Sequence, residues 1–199
     1  MKIVLESSNK HKVQEINDIV SSMNLPLEFI LPPNDFNPIE DGKNFEENSY
    51  IKAYEAWKLT KNWVLADDSG LCIDSLDGKP GIYSARYAET PALRIKRVLK
   101  ELGEKTNRNA HFTCAMTLIN PKGEIEYKYQ GICEGTITKE SKGTNGFGYD
   151  PIFLVKGDNR TMAELSEDEK NQISHRSVTL RNVLGYLKTI IYDTNQITR

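Results

Sequence analysis

The sequence predicts a mixed fold of helices and strands, and three observations carry that prediction. Strand-like runs and helical periodicities alternate along the chain, beginning where Lys2–Glu6 passes almost directly into a helical pattern at Val13, Ile16, Ile19, Val20 and Met23. Two long strand-like runs, Ala110–Ile119 and Glu124–Ile132, flank the turn Asn120-Pro121-Lys122-Gly123 and read as a hairpin. The 199 residues contain no internal repeat and no low-complexity linker, which fits one domain over 1–199 burying roughly 70% of its unfolded surface.

Composition narrows the function before any motif is read. A formal net charge of −2 offers no general attraction to nucleic acid or to acidic membranes, so an anionic ligand must be met by local basic groups. Cys72, Cys114 and Cys133 are odd in number, lie in or beside apolar strand-like runs and lack metal-ligand spacing, which predicts reduced thiols rather than a disulfide framework. Ile3-Val4-Leu5 is far too short for a signal-peptide core, and no apolar run approaches a membrane span. The expectation is a soluble cytoplasmic protein.

The first element is the strand Lys2–Glu6, followed by Ser7-Ser8-Asn9-Lys10-His11-Lys12 at a helix start. Small polar residues there leave backbone N–H groups aimed outward along the helix dipole, which suits a phosphate; an N-cap followed by surface lysines explains the same residues structurally. A second strand, Leu27–Leu31, runs into the Pro-rich loop 32–42, which delivers Glu40 and Asp41 to the next helix start. Phe45, Ser49, Ala53, Ala56, Trp57 and Leu59 give that helix an apolar stripe with Lys52 near its edge.

The run Ala66-Asp67-Asp68-Ser69-Gly70-Leu71 is the most informative in the chain. Trp63–Ala66 and Leu71–Leu76 read as two short strands, with the acids and Ser-Gly at the break between them. Adjacent carboxylates there need compensation, and Mg²⁺ would supply it, since it is usually held by one or two carboxylates plus substrate phosphates. A solvated turn rich in Asp, Ser and Gly is the other explanation.

Downstream, Gly78–Ala88 carries Arg86 in a semi-apolar segment, and Thr90-Pro91 opens a helix that Gly103 ends. His111 reads as a strand side chain, with no second His or Cys at metal spacing nearby. Gly143-Thr144-Asn145-Gly146-Phe147-Gly148-Tyr149-Asp150 sets two aromatics among three glycines. Phe147 or Tyr149 there can stack on a flat ligand, or a Gly-rich loop can pack both inward. Ser166–Glu169 is a capping box, and Ile173–Ser177 opens a last helix with His175 and Arg176 near its start, where cations oppose the dipole.

Five blocks now stand in order: Ser7-x-Asn9-x-x-Lys12-x-x-Glu15, Ala66–Leu71, Pro80-Gly81-x-x-Ser84-Ala85-Arg86-Tyr87, Gly146–Phe153, and Glu169-Lys170-Asn171-x-Ile173-Ser174-His175-Arg176. Together, from about residue 2 to about residue 190, they resemble the inosine/xanthosine triphosphate pyrophosphatase family. The resemblance implies an elongated, two-lobed α/β fold around a long mixed β-sheet with flanking helices, and an active-site cleft between the lobes. It further implies a homodimer, Mg²⁺ as cofactor, and hydrolysis of dITP, ITP or XTP to the nucleoside monophosphate and pyrophosphate.

Carried over residue by residue, Ser7, Ser8, Asn9, Lys10, His11 and Lys12 match the triphosphate-binding turn, and Lys52 a phosphate-binding lysine. Glu40 and Asp68 match the metal-binding acids; Asp68 also matches the family's proposed proton acceptor, and Ser69 a residue contacting substrate. Phe147, Gly148, Tyr149, Asp150, Lys170, His175 and Arg176 match the nucleobase pocket. Nucleic acid and membrane are not expected partners. Three departures stand out: Ser7 replaces the usual Thr, and Asn145 and Ser177 replace glycines usual in the family, Asn tolerating the left-handed backbone region better than most residues; the chain also passes from Ala88 to Glu89-Thr90-Pro91 without the usual Gly. A pyrimidine nucleotide pyrophosphatase on a related fold, and a nucleotide sensor without turnover, are the rival functions.

Overall fold

The computed structural model describes residues 1–6, 10–23, 25–33 and 36–197, with the backbone alone for 10–12, 15, 22 and 193–197. By contact density the chain divides into two compact units. The first takes Met1–Asp68, Ala115–Gln130 and Ser177–Arg199; the second takes Ser69–Cys114 and Gly131–Arg176.

The first unit begins with β1 (Lys2–Glu6), whose Ile3, Val4 and Leu5 are fully buried. It pairs in parallel with β2 (Glu28–Ile30) on one side and with β3 (Trp63–Ile73) on the other, which is why it reads as a continuous apolar run rather than an alternation. Helix α1 (Lys10–Ser22) follows β1 directly and buries Ile16 and Ile19. Helix α2 (Phe45–Thr60) is entered through Asn44, whose side chain accepts the Glu47 N–H at 2.8 Å, and is closed by Lys61 in the left-handed conformation. Val4, Ala53, Ala56, Val64, Ala66 and Ile119 form this unit's core, with Tyr50, Tyr54 and Trp57 stacked along its margin.

The predicted break between two strands at Asp67–Gly70 is absent: β3 is one strand of 11 residues. Its two acids are accommodated inside the sheet because polar groups from α2 face them. Strands β4 (Asn109–Ile119) and β5 (Ile125–Ile137) form the predicted hairpin, its turn closed by Gly123 N–H to Asn120 O at 2.9 Å and Asn120 N–H to Glu124 O at 3.0 Å. The second strand runs five residues past the predicted end at Ile132, since Gly131 and Gly135 weaken the sequence signal without stopping the pairing.

The second unit adds β6 (Phe153–Val155), antiparallel to β5 with Ile137 opposite Phe153. The sheet order is β2-β1-β3-β4-β5-β6, a mixed sheet as expected for an α/β fold. Helix α3 (Pro91–Leu102) starts at the Thr90 cap and ends at Gly103, and α4 (Glu167–Ile173) starts at the Ser166/Glu169 capping box, both as predicted. Helix α5 spans His175–Ile197. Leu71, Ile73, Val98, Leu102, Phe112, Ile152 and Phe153 anchor this unit's core.

All three cysteines are free thiols. Burial pushes Cys72 upward and Cys133 up to about 11, the latter helped by the carboxylates of Asp150 and Glu134, so both are held protonated. No helix among the described residues is long and apolar enough to cross a membrane.

Candidate active site

The polar interior of the first unit is organised around Lys52. The turn of α2 sets Asn48 and Lys52 four residues apart on one buried side of the helix. Lys52 is only 7% exposed; its ammonium lies 3.3 Å from Glu40 Oε1 and 3.9 Å from Glu6 Oε2. Asp67 and Asp68, adjacent in β3, are also buried and act on it electrostatically. Burial alone would lower the ammonium's pKa, but Asp67, Glu6, Asp68 and Glu40 outweigh it and hold the group above its ordinary value. Four carboxylates therefore act on one buried lysine and keep it charged.

Asn48 is fully buried between Asp68 and the backbone at Gly42. Its Nδ2 donates to Asp68 Oδ2 at 3.1 Å, and its Oδ1 accepts the Gly42 N–H at 2.9 Å. Among the described residues no group of three or more His, Cys, Asp or Glu side chains is placed to hold a metal ion. Mg²⁺ does not need one, because it keeps several waters and takes the rest of its oxygens from one or two carboxylates and phosphates. Glu40 and Asp68, the two acids expected to hold it, both act on Lys52.

In the second unit the loop of residues 143–149 turns on positive φ angles at Gly143, Gly146 and Gly148. A Cβ added to Gly146 would lie 2.2 Å from Asp150 Oδ2, so the loop closes over that carboxylate only with glycine there. Asp150 is buried, and its Oδ2 accepts both the Phe147 N–H at 2.9 Å and the Lys170 ammonium at 2.8 Å. The Lys170 ammonium in turn sits 4.4 Å from the centroid of the Phe147 ring, with the Arg176 guanidinium at 5.7 Å. Arg176 is 1% exposed and its Nη2 donates to Ser69 Oγ at 3.0 Å.

Ser69, Phe147, Asp150, Lys170 and Arg176 are thus one connected group. The ring of His175 stacks on Phe112 at 4.8 Å. Of the two loop aromatics, Phe147 is half-buried beside cations, whereas Tyr149 is buried and its hydroxyl donates to Ser84 O at 2.9 Å. Burial raises the Tyr149 pKa, keeping the phenol neutral. Asn145 does not take the left-handed backbone expected of it; its Nδ2 donates to Leu165 O at 2.9 Å while neighbouring glycines supply the positive φ. Ser177 is fully buried.

Ser7, Ser8 and Asn9 lie outside the described residues. Lys10, His11 and Lys12 form the first turn of α1, and their side chains are likewise outside. Three residues of the site escaped the sequence reading: Glu6, Asp67 as a partner of Lys52, and Asn48. The available signal was an acid ending an apolar strand at Glu6, and polar Asn48, Ser49 and Lys52 on the buried side of an amphipathic helix.

Residues 3–186 match the sequence profile of the Ham1 family. The chain belongs to the Ham1 family. Among its relatives, the dITP/XTP pyrophosphatase of Nostoc sp. is 42% identical over 189 residues, covering 95% of either chain. That of Bacillus licheniformis is 43% identical over 192 residues, covering 94% of this chain and 97% of the relative. A HAM1 protein from Coxiella burnetii superposes with a TM-score of 0.86 at 40% identity, over 95% of this chain and 99% of its own. The nucleoside-triphosphatase, or dITP/XTP pyrophosphatase, of Mycobacterium abscessus gives a TM-score of 0.75 at 37% identity, over 94% of this chain and all of its own. These likenesses to Ham1 proteins cover both units described above.

Proposed function

We propose that this Ham1-family chain hydrolyses dITP, ITP and XTP to the nucleoside monophosphate and pyrophosphate, removing non-standard purines from the nucleotide pool. The activities for which the Nostoc, Bacillus and Mycobacterium relatives are named support the reaction, and the buried carboxylate cluster about Lys52 is the single structural observation that carries it. Mg²⁺ is the cofactor of this reading, with Glu40 and Asp68 as its protein ligands. Bound there, it would spread the charge developing on the triphosphate and acidify water.

The chain's own residues do the rest. Asp68 takes a proton from the attacking water, whose oxygen bonds to the α-phosphorus. The bond from that phosphorus to the bridging oxygen breaks, and pyrophosphate leaves with the oxygen. Lys52, held charged by the carboxylates around it, offsets part of their charge and draws the phosphates toward them, and Ser7–Lys12 bind the leaving group in this reading. Phe147 stacks on the base, and Lys170 and Arg176 supply donors beside it. A 6-oxo purine presents an acceptor to such donors, whereas adenine presents an amino group and leaves them unpaired. The protein works in this reading as a cytoplasmic homodimer, and its net charge of −2 gives no reason for a nucleic acid or membrane partner.

The experiment is Asp68→Asn with Mg²⁺ present. The amide keeps the shape of the side chain beside Asn48 but neither accepts the proton nor carries the charge. Turnover of dITP should fall by about a hundredfold or more while the thermal midpoint stays close to wild type. Wild-type turnover in that variant would sink the assignment. Nucleotide-dependent stabilisation of the wild type without product would mean a sensor instead.

A further inference from the structure

Asn48 joins two elements that both carry carboxylates of the proposed site. It stands on α2 one turn before Lys52, and its side chain is completely buried. The orientation of its amide is fixed by chemistry. A backbone N–H can only donate, so the atom 2.9 Å from the Gly42 nitrogen must be the amide oxygen. The amide nitrogen therefore faces Asp68 Oδ2, 3.1 Å away, and that oxygen must accept. The first bond pins the loop two residues after Glu40; the second fixes which Asp68 oxygen faces α2 and which faces away.

The packing leaves this bridge no slack. A Cβ added to Gly42 would lie 2.6 Å from Asn48 Oδ1 and 2.9 Å from the Asn48 nitrogen, so the loop is drawn against the amide as closely as a glycine allows. Glu40, carried by the same loop, reaches Lys52 at 3.3 Å. Asn48 and Lys52, one turn apart, thus hold the loop and β3 from the same side of one helix.

We propose that Asn48 is a positioning residue for the hydrolysis: it sets Glu40 and Asp68 in one arrangement and aims the Asp68 carboxylate. It touches no reacting atom and acts through both acids. This rests on the reading of Glu40 and Asp68 given above.

Two variants and two readouts test it. Asn48→Asp keeps an acceptor for the Gly42 N–H but loses the donor to Asp68, and Asn48→Ala loses both bonds. In either variant kcat for dITP should fall by about a hundredfold while KM for dITP changes by no more than about threefold, since misplacing a reacting group costs rate rather than binding. The second readout is the thermal midpoint as MgCl2 is added without nucleotide. Half-maximal stabilisation of Asn48→Ala should need about tenfold more Mg²⁺ than wild type. If Asn48→Ala does not fold, the isosteric Asn48→Asp still decides through the split of kcat from KM. A folded variant with wild-type kcat, a raised KM at unchanged kcat, or an unchanged Mg²⁺ response would overturn the proposal. A wild-type protein that turns over none of dITP, ITP and XTP would instead overturn the proposed function, and the Mg²⁺ titration would still judge Asn48.

Discussion

Lys52 shows how a buried lysine is kept charged by its neighbours. Its ammonium is buried, which costs solvation, and it persists as a charge because Asp67, Glu6, Asp68 and Glu40 surround it. Lys52→Met should remove the positive charge that those carboxylates share, at about 3 to 5 kcal/mol, or a thermal midpoint lower by roughly 10 °C. The pH dependence has a definite sign. The folded-state pKa is raised above the unfolded value of about 10.4, so the lysine's contribution is complete below that pH and is lost as pH rises through the folded value. The difference in midpoint between wild type and Lys52→Met should therefore stay flat from about pH 6 to about pH 10 and shrink only above about 10.4. A difference that shrank within the flat range would remove the ion cluster from the account. At this scale the sequence was a partial guide. Asp68, Glu40 and Lys52 were legible as members of a pattern; Glu6 and Asp67 were not legible as partners of Lys52, because the pairing depends on contacts between segments far apart in the chain.

At the level of elements, local signals and long-range ones part company. The Thr90-Pro91 start and Gly103 stop of α3, the Ser166/Glu169 capping box of α4 and the hairpin at Asn120–Glu124 are set by residues within a turn of each other, and all were readable. The continuity of β3 through Asp67-Asp68-Ser69-Gly70 was not, because buried carboxylates inside a strand look like a break until α2 is placed against them. The loop before Asp150 is intermediate: its glycines announced a close turn, but only the fold shows that Asn145 is held by its side chain and that Tyr149 faces inward. Gly146→Ala tests this loop. The residue has φ of 71°, and its new Cβ would meet Asp150 Oδ2, breaking the bond that fixes Phe147. KM for dITP should rise by about tenfold or more with kcat changed far less, since a base contact contributes to binding. An unchanged KM would show that Phe147 does not meet the base.

For the whole molecule, the division of labour follows the two units. The first contains the acids, Lys52 and Asn48, to which the proposed function assigns the phosphate chain and a divalent cation. The second contains Phe147, Asp150, Lys170 and Arg176, to which it assigns a purine ring with an acceptor at its 6-position. The blocks Gly146–Phe153 and Glu169–Arg176 signalled the second group, whereas Glu40, Asn48 and Lys52 of the first lie outside all five blocks. The measurement that tests this most directly is product analysis with Mg²⁺ across dITP, ITP, XTP, ATP and GTP. The account predicts equal amounts of nucleoside monophosphate and pyrophosphate, with kcat/KM for dITP, ITP or XTP exceeding that for ATP by roughly a hundredfold or more. Orthophosphate and a nucleoside diphosphate as products, or equal turnover of ATP, would contradict it.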